Sequence, residues 1–202
     1  MPKTRTNDLI RQARHGSSEA LEQLLVRFRS YIKLLARIQL DRHLSSKVDP
    51  SDLVQETWLE SYRAFGTFQG HTEQEFVAWQ RQILTTNIID CFRHYYGAQK
   101  RDVRLERSLQ EAMEYSSLLL GNLLIDEATS PSQAAGQHEQ SVLLADALEQ
   151  LTDDYRDVLI YRHLEGLSFK DVASRMDRSL NSVEKLWMRA LGELRSQLTK
   201  NQ

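Results

Sequence analysis

Two stretches of the chain carry side chains whose types and spacing can do chemistry. Between Asp90 and Arg104, the cations Arg93, Lys100, Arg101 and Arg104 are interleaved with Phe92, Tyr95 and Tyr96. Aromatic faces beside cations suit single-stranded nucleic acid, because bases stack on the rings while the cations track phosphates. The same pattern also fits a helix end whose basic groups complement the negative end of the dipole. The second stretch, Leu167 to Leu194, reads as a short helix, a tight polar turn and a longer helix. A helix-turn-helix of this kind sets its second helix in the major groove, with the N-terminal side chains at the base edges. Asn181, Ser182, Glu184, Lys185, Met188 and Arg189 are the candidates for its exposed side. Arg178 and Lys185 could hold phosphates. Taken alone, a plain helical hairpin has the same outline and is the commoner arrangement.

A third pattern lies upstream. Asp52, Gln55, Glu56 and Glu60 recur at helical spacing beside Leu53, Trp58 and Leu59. Such a helix can be a protein-docking face, or simply an amphipathic helix with a solvated polar side. Catalytic patterns are missing from the sequence. There is no His-Glu-x-x-His, no glycine-rich phosphate loop and no cysteine pair for zinc. Cys91 and His94 share a helix face, but a lone pair of this kind is more often structural than metal-binding. No catalytic residue, metal or cofactor is expected, and no enzyme.

The elements that must position these residues are helical. Leu21, Leu24, Leu25, Phe28, Ile32 and Leu35 follow a three-and-four spacing on one helix face. Asp49-Pro50 announces a second helix, with Asp49 as cap and Pro50 at the first helical position; it runs to a stop at Gly66. Thr72-Glu73-Gln74-Glu75 is a capping box that opens a third, reaching about Gly97. From Val103 to Ser141 the composition changes, with Ser116-Ser117, Gly121-Asn122 and Thr129-Ser130-Pro131-Ser132. This reads as a linker, with local helix around Leu118 to Leu124. Helical signals resume over Val142 to Leu151, then from a Thr152 cap to Gly166, then from a second capping box at Ser168 to Asp171. A last helix carries Val183, Leu186, Trp187, Ala190, Leu191 and Leu194. Leu167, Val172, Val183 and Leu186 are expected to pack between the last two helices, where Ala173 allows close approach.

Composition sets the bounds. The 202 residues are 41% hydrophobic and 27% charged, with a net charge of -2, which excludes global disorder. No apolar run approaches the ~20 residues of a membrane span. The N-terminus lacks an apolar signal region, and one cysteine cannot form an internal disulfide, so the cytoplasm is the expected setting. The near-neutral total hides an asymmetry. Residues 1–102 carry +3, residues 103–141 carry -4 and residues 142–202 carry -1. Strong autonomous DNA binding, which is largely electrostatic, is therefore not expected.

Taken in order, three segments resemble the extracytoplasmic-function (ECF) branch of the sigma-70 family of bacterial transcription initiation factors. Asp49 to Trp58 resembles the family's region 2.2. Phe76 to Ile83, with Asn87, Asp90 and Arg93, resembles regions 2.3 and 2.4, and Leu151 to Leu194 resembles region 4. The resemblance implies an all-α protein of two small domains, a region 2 helical bundle over 1–102 and a region 4 helix-turn-helix over 142–202, joined by an acidic flexible linker over 103–141. It implies that Asp52, Leu53, Gln55, Glu56 and Trp58 dock on the β′ clamp helices of core RNA polymerase. It implies that Gln69, His71, Trp79, Asn87, Asp90, Arg93, Tyr96 and Arg101 melt the −10 element and hold its non-template strand. Arg178, Asn181, Ser182, Glu184, Lys185, Met188 and Arg189 would read the −35 duplex, while the domain's apolar face meets the β flap. Promoter DNA, core polymerase and an anti-sigma factor or other regulator are the implied partners, without membrane insertion. Some positions depart from the family pattern. Asp177 and Ser179 stand where Gly and Pro are frequent, Glu184 and Leu186 where basic residues are, and Trp187 where an aliphatic residue is. The alternative is a stand-alone helix-turn-helix regulator with an N-terminal sensor or dimerisation domain.

Overall fold

A computed structural model describes residues 5–43, 48–96, 103–122 and 134–200. All regular structure among these residues is helical. The chain divides into two compact units, Met1–Tyr115 and Ser116–Gln202.

The first unit begins with α1 (Thr6–Arg14), an element the sequence reading did not identify. Leu9, Ile10 and Ala13 form its buried side. Their spacing of one and three is a helical signal that so short a segment carries weakly. α2 (Ser18–His43) buries the whole expected row, Leu21, Leu24, Leu25, Phe28, Ile32 and Leu35. α3 (Pro50–Ala64) starts as the sequence dictates, with the Asp49 carboxylate accepting from the Ser51 amide at 2.7 Å and Pro50 at the first helical position. A short 3-10 turn, Phe65–Thr67, then leads towards α4 (Glu73–Tyr96). The capping box closes as expected. The Glu75 carboxylate accepts from the amides of His71 and Thr72, and the Thr72 hydroxyl accepts from the Glu75 amide. The His71 amide, then the Thr72 hydroxyl and amide, hold the Glu75 carboxyl below its ordinary pKa. α2, α3 and α4 pack on one another, and α1 packs on α2 and α4.

The first half of the expected linker, Val103–Asn122, is a helix. α5 (Val103–Asn122) is helical through the serine pair, and Ser116 and Ser117 are buried with Leu109, Met113 and Leu120. The apolar residues recur at four and seven, which is helical periodicity. Serine hydroxyls compete with helical hydrogen bonding, which is why a serine pair reads as a loop signal in the sequence.

In the second unit, α6 (Ala134–Glu149) precedes α7 (Asp153–Leu159), which continues as a wider π turn over Ile160–Leu164. Gly166 ends that run at φ 73, in the left-handed region where glycine carries no steric penalty. Thr152 stands at the N-cap of α7, but its hydroxyl accepts no cap hydrogen bond. α8 (Phe169–Arg175) opens on the second capping box, the Ser168 hydroxyl accepting from the Asp171 amide at 3.2 Å. α9 (Leu180–Lys200) packs on α8, α7 and α6. Val172, Ala173 and Val183 are buried between the last two helices as expected, while Leu167 and Leu186 are half-buried.

The turn between α8 and α9 explains one departure. Asp177 takes φ 51. The Arg178 amide donates to Ala173 O at 2.9 Å and the Asp177 amide to Ser174 O at 3.3 Å. This is a Schellman closure with aspartate in the place glycine prefers. Asp177→Gly removes the Cβ penalty, partly offset by a more flexible unfolded chain. It is expected to stabilise the C-terminal unit by about 0.5 kcal/mol. Urea denaturation followed by hydrogen exchange of α8 and α9 checks this; a lower midpoint would contradict it.

Candidate functional site

Three faces collect the candidate residues. The first is on α3. Asp52, Gln55 and Glu56 are exposed, as the docking expectation requires. Leu53 is not; at 3% exposure it belongs to the core and supports the helix from beneath. Trp58 is half-buried. Its indole N–H donates to Leu25 O on α2 at 3.1 Å, and the Arg29 guanidinium lies 5.7 Å from its ring centre. Trp58 therefore fastens α3 to α2 and keeps only part of its ring available. Beside it runs a groove of about 490 Å³, lined by Leu25, Trp58, Leu59 and Tyr62 together with Gln55 and Arg63. Leu59 and Tyr62 are 55% and 53% exposed, an unusual state for large side chains on neighbouring turns. Leu59 belongs to the helix whose spacing allows a docking face; helical periodicity alone does not say that it and Tyr62 stay exposed.

The second face is the loop before α4, with the helix behind it. Beneath the loop sits an aromatic cluster. Phe76 on α4 is fully buried, with its ring centre 5.4 Å from Phe28, 5.7 Å from Phe68 and 5.8 Å from Trp79. Trp79 also lies 5.1 Å from Phe68 and 6.0 Å from Phe65. Gly70 has no room for a side chain, since a Cβ there would lie 2.4 Å from the Phe68 ring. The loop backbone thus rests directly on the cluster, leaving Gln69 and His71 exposed above it. From α1, Arg14 reaches the loop, with Nη1 2.6 Å from His71 Nδ1 and 3.4 Å from Gly70 O. Asn7 Oδ1 accepts from the Glu73 amide at 2.9 Å. α1 therefore braces the loop through contacts that lie 56 to 66 residues apart in the chain, beyond any local pattern.

Further along α4 the candidates separate. Asn87 is buried, and its amide donates to Thr57 Oγ1 on α3 at 3.1 Å. It pins α3 to α4 and is not available to a DNA strand, which corrects the expectation for it. Asp90 and Arg93 form a surface ion pair at 2.8 Å, three residues apart, where such pairs add little stability. Trp79 is half-buried in the cluster, so it supports the loop from within. The side chain of Tyr96, Arg101 as a whole, and the side chains of Lys100 and Arg104 lie outside the described residues.

The third face is on α9. Asn181, Glu184, Lys185, Met188 and Arg189 are exposed and Ser182 is half-buried, opposite the buried side of Val183, Ala190 and Leu194. Arg178 is exposed, but its guanidinium bonds Asp154 at 2.7 Å and ties the turn to the start of α7. The second departure from the family pattern, Trp187, lies on the inner side. Its indole N–H donates to His163 Nε2 at 2.9 Å, the two rings stack at 6.0 Å, and Phe169 meets it edge-on at 5.3 Å. Burial, then the Arg162 charge, pushes the His163 pKa below its ordinary value, which favours the neutral ring; the Trp187 N–H then selects the tautomer whose Nε2 accepts. The pair fixes the rotation of α9 about its axis and so decides which side chains face out.

Among the described residues no cluster of His, Cys, Asp and Glu could hold a metal, and no helix is long and apolar enough to cross a membrane. Residues 27–96 match the family model for sigma-70 region 2, and residues 141–194 match that for sigma-70 region 4. The chain is 28% identical over 182 residues to the ECF RNA polymerase sigma-E factor of Escherichia coli strain K12, covering 90% of this chain and 88% of that protein. The sigma-E factor of Haemophilus influenzae is likewise 28% identical, over 90% of this chain and 89% of that one. Among solved structures, the flagellar sigma/anti-sigma complex Sigma-28/FlgM aligns with a TM-score of 0.38 at 19% identity, covering 92% of this chain and 98% of that one.

Proposed function

The chain belongs to the sigma-70 family and is an ECF-type sigma factor that directs transcription initiation; from that premise we propose how its three faces divide the work. The exposed row Asp52, Gln55 and Glu56, continued by the groove at Leu59 and Tyr62, docks on core RNA polymerase. The loop at Gln69 and His71 receives the unstacked −10 strand, and Arg93 grips it. The exposed side of α9 reads the −35 duplex. The protein performs no covalent chemistry of its own and works in the cytoplasm beside the polymerase.

The observation that carries this reading is the pairing of each matched family region with one compact unit, each presenting a solvent-facing surface of fitting chemistry. The energetics agree. Unstacking a base costs a few kcal/mol, and stacking on an aromatic or a similar surface returns ~1–3 kcal/mol. A near-neutral chain cannot hold a bubble open unaided, so docking on the polymerase must be coupled to melting. A loop already seated on a rigid aromatic bed does not have to be ordered at the moment of melting, which favours the open state. A stand-alone regulator is not favoured, because region 2 has no part in that reading.

Leu59→Arg tests the docking face. Leu59 is more than half exposed, so the fold should be untouched, while affinity for core polymerase should fall at least about tenfold, as for a central interface residue. Titration of labelled protein against core polymerase measures it; unchanged affinity would remove the groove from the interface. Arg93→Ala should in turn weaken open-complex formation by the holoenzyme, and an unaffected yield of open complex would end its role at the strand.

A further inference from the structure

The exposed side of α9 has two unlike edges. Lys185 and Arg189, four residues apart, line one edge with positive charge. Glu184 and Met188, also four apart, line the other. Met188 is 67% exposed, the most open of the large apolar side chains among the described residues. Glu184 is exposed as well. At positions three and four away it has Leu180, Asn181, Trp187 and Met188, so no cation on its own helix neutralises it. Several surface acids do have such a partner, as in Asp8–Arg11, Asp90–Arg93 and Asp153–Arg156. A bare carboxylate near DNA phosphates weakens binding unless something on the DNA donates to it.

The major groove offers few such donors. Cytosine presents its N4 amino group with no acceptor on its own major-groove edge, whereas adenine places the N7 lone pair next to its N6 amino group, where a carboxylate is repelled. A thymine methyl is the natural contact for an exposed apolar side chain. We infer that Glu184 makes region 4 of this protein select a cytosine in the −35 duplex, with Met188 against the methyl of a neighbouring thymine. The inference rests on the assignment of α9 to that duplex. The basic edge supplies the phosphate or guanine contacts that hold the helix in place, and the acidic edge supplies the discrimination.

The test is transcription in vitro by core polymerase with the full chain, on a promoter library randomised over the upstream duplex element. The wild type should enrich cytosine at one position about tenfold over the other bases, within what one good base contact supplies. Glu184→Gln should move that preference to adenine, since an amide can bond both N6 and N7. Glu184→Ala should flatten that position alone, and Met188→Ala should weaken the thymine preference beside it. Both side chains are outside the core, so urea midpoints should be unchanged in all three variants. If the wild type shows no cytosine preference, or if Glu184→Gln leaves it in place while Lys185→Ala still lowers transcription, Glu184 is not a specificity residue and the duplex-reading role of α9 survives. If the library shows no upstream preference and Lys185→Ala and Arg189→Ala are neutral, the duplex-reading role itself fails.

Discussion

Phe76→Ala is expected to destabilise the N-terminal unit by about 3–5 kcal/mol, the range for emptying a fully buried aromatic site. Phe76 is 0% exposed and stands at the centre of the cluster of Phe28, Phe65, Phe68 and Trp79. The rings come from α2, the 3-10 turn, the loop and α4, so no single element can move to fill the void. A loss of this size is a large part of a domain's total stability. The loop at Gly70, packed on Phe68, loses its bed at the same time. Urea denaturation of the full chain, resolved by hydrogen exchange of α2 and α4, measures the cost. Phe76→Leu, which keeps most of the volume, should lose far less. A midpoint unchanged in Phe76→Ala would mean that the cluster does not hold the unit together.

Arg156→Ala is expected to destabilise the C-terminal unit by about 2–4 kcal/mol, because one charged donor satisfies several backbone acceptors there. Its guanidinium donates to Leu148 O at 2.9 Å, Glu149 O at 3.0 Å and Leu151 O at 2.8 Å, and it pairs with Asp153 at 3.0 Å. The side chain is 14% exposed. These carbonyls belong to the end of α6 and the turn after it, which have no further residues in the helix to bond them. Arg156 so joins α6 to α7 where the Thr152 hydroxyl leaves α7 uncapped. Arg156→Lys should recover less than half of the loss, since one ammonium cannot match the planar fork. The midpoint of the C-terminal unit decides it, and a neutral Arg156→Ala would show that solvent replaces the guanidinium freely.

Local signals transferred from sequence to structure wherever their partners are close in the chain. The boxes at Thr72–Glu75 and Ser168–Asp171 and the cap at Asp49 need only two or three residues to close, so their chemistry is complete in the sequence. The spacing of the apolar row on α2 likewise fixed its buried side. Faces of α4 were harder to read, because this helix is covered from several directions. Gln80, Thr85 and Asn87 are buried along with Phe76, Val77, Leu84 and Ile88. A polar residue on such a helix can serve a neighbouring helix instead of a ligand, and Asn87 does so through Thr57. Leu53 and Asn87 were drawn towards function by the resemblance of their segments, and their own burial removes them from contact.

The sequence by itself determined the helical class, most helix starts, the two regions of the sigma-70 family in their order and the identity of the side chains on α9. Those follow from periodicity, capping and motif order, which are properties of neighbours along the chain. Only the tertiary structure decided which of those side chains face out. Trp187 sets α9 by bonding His163, 24 residues earlier, and Arg14 steadies a loop 57 residues later. It also left Leu59 and Tyr62 exposed along a groove, which spacing within α3 alone does not decide. The physical reason is the same in each case: burial and pairing depend on what another helix brings to the same place, and spacing within one helix carries no record of its neighbour.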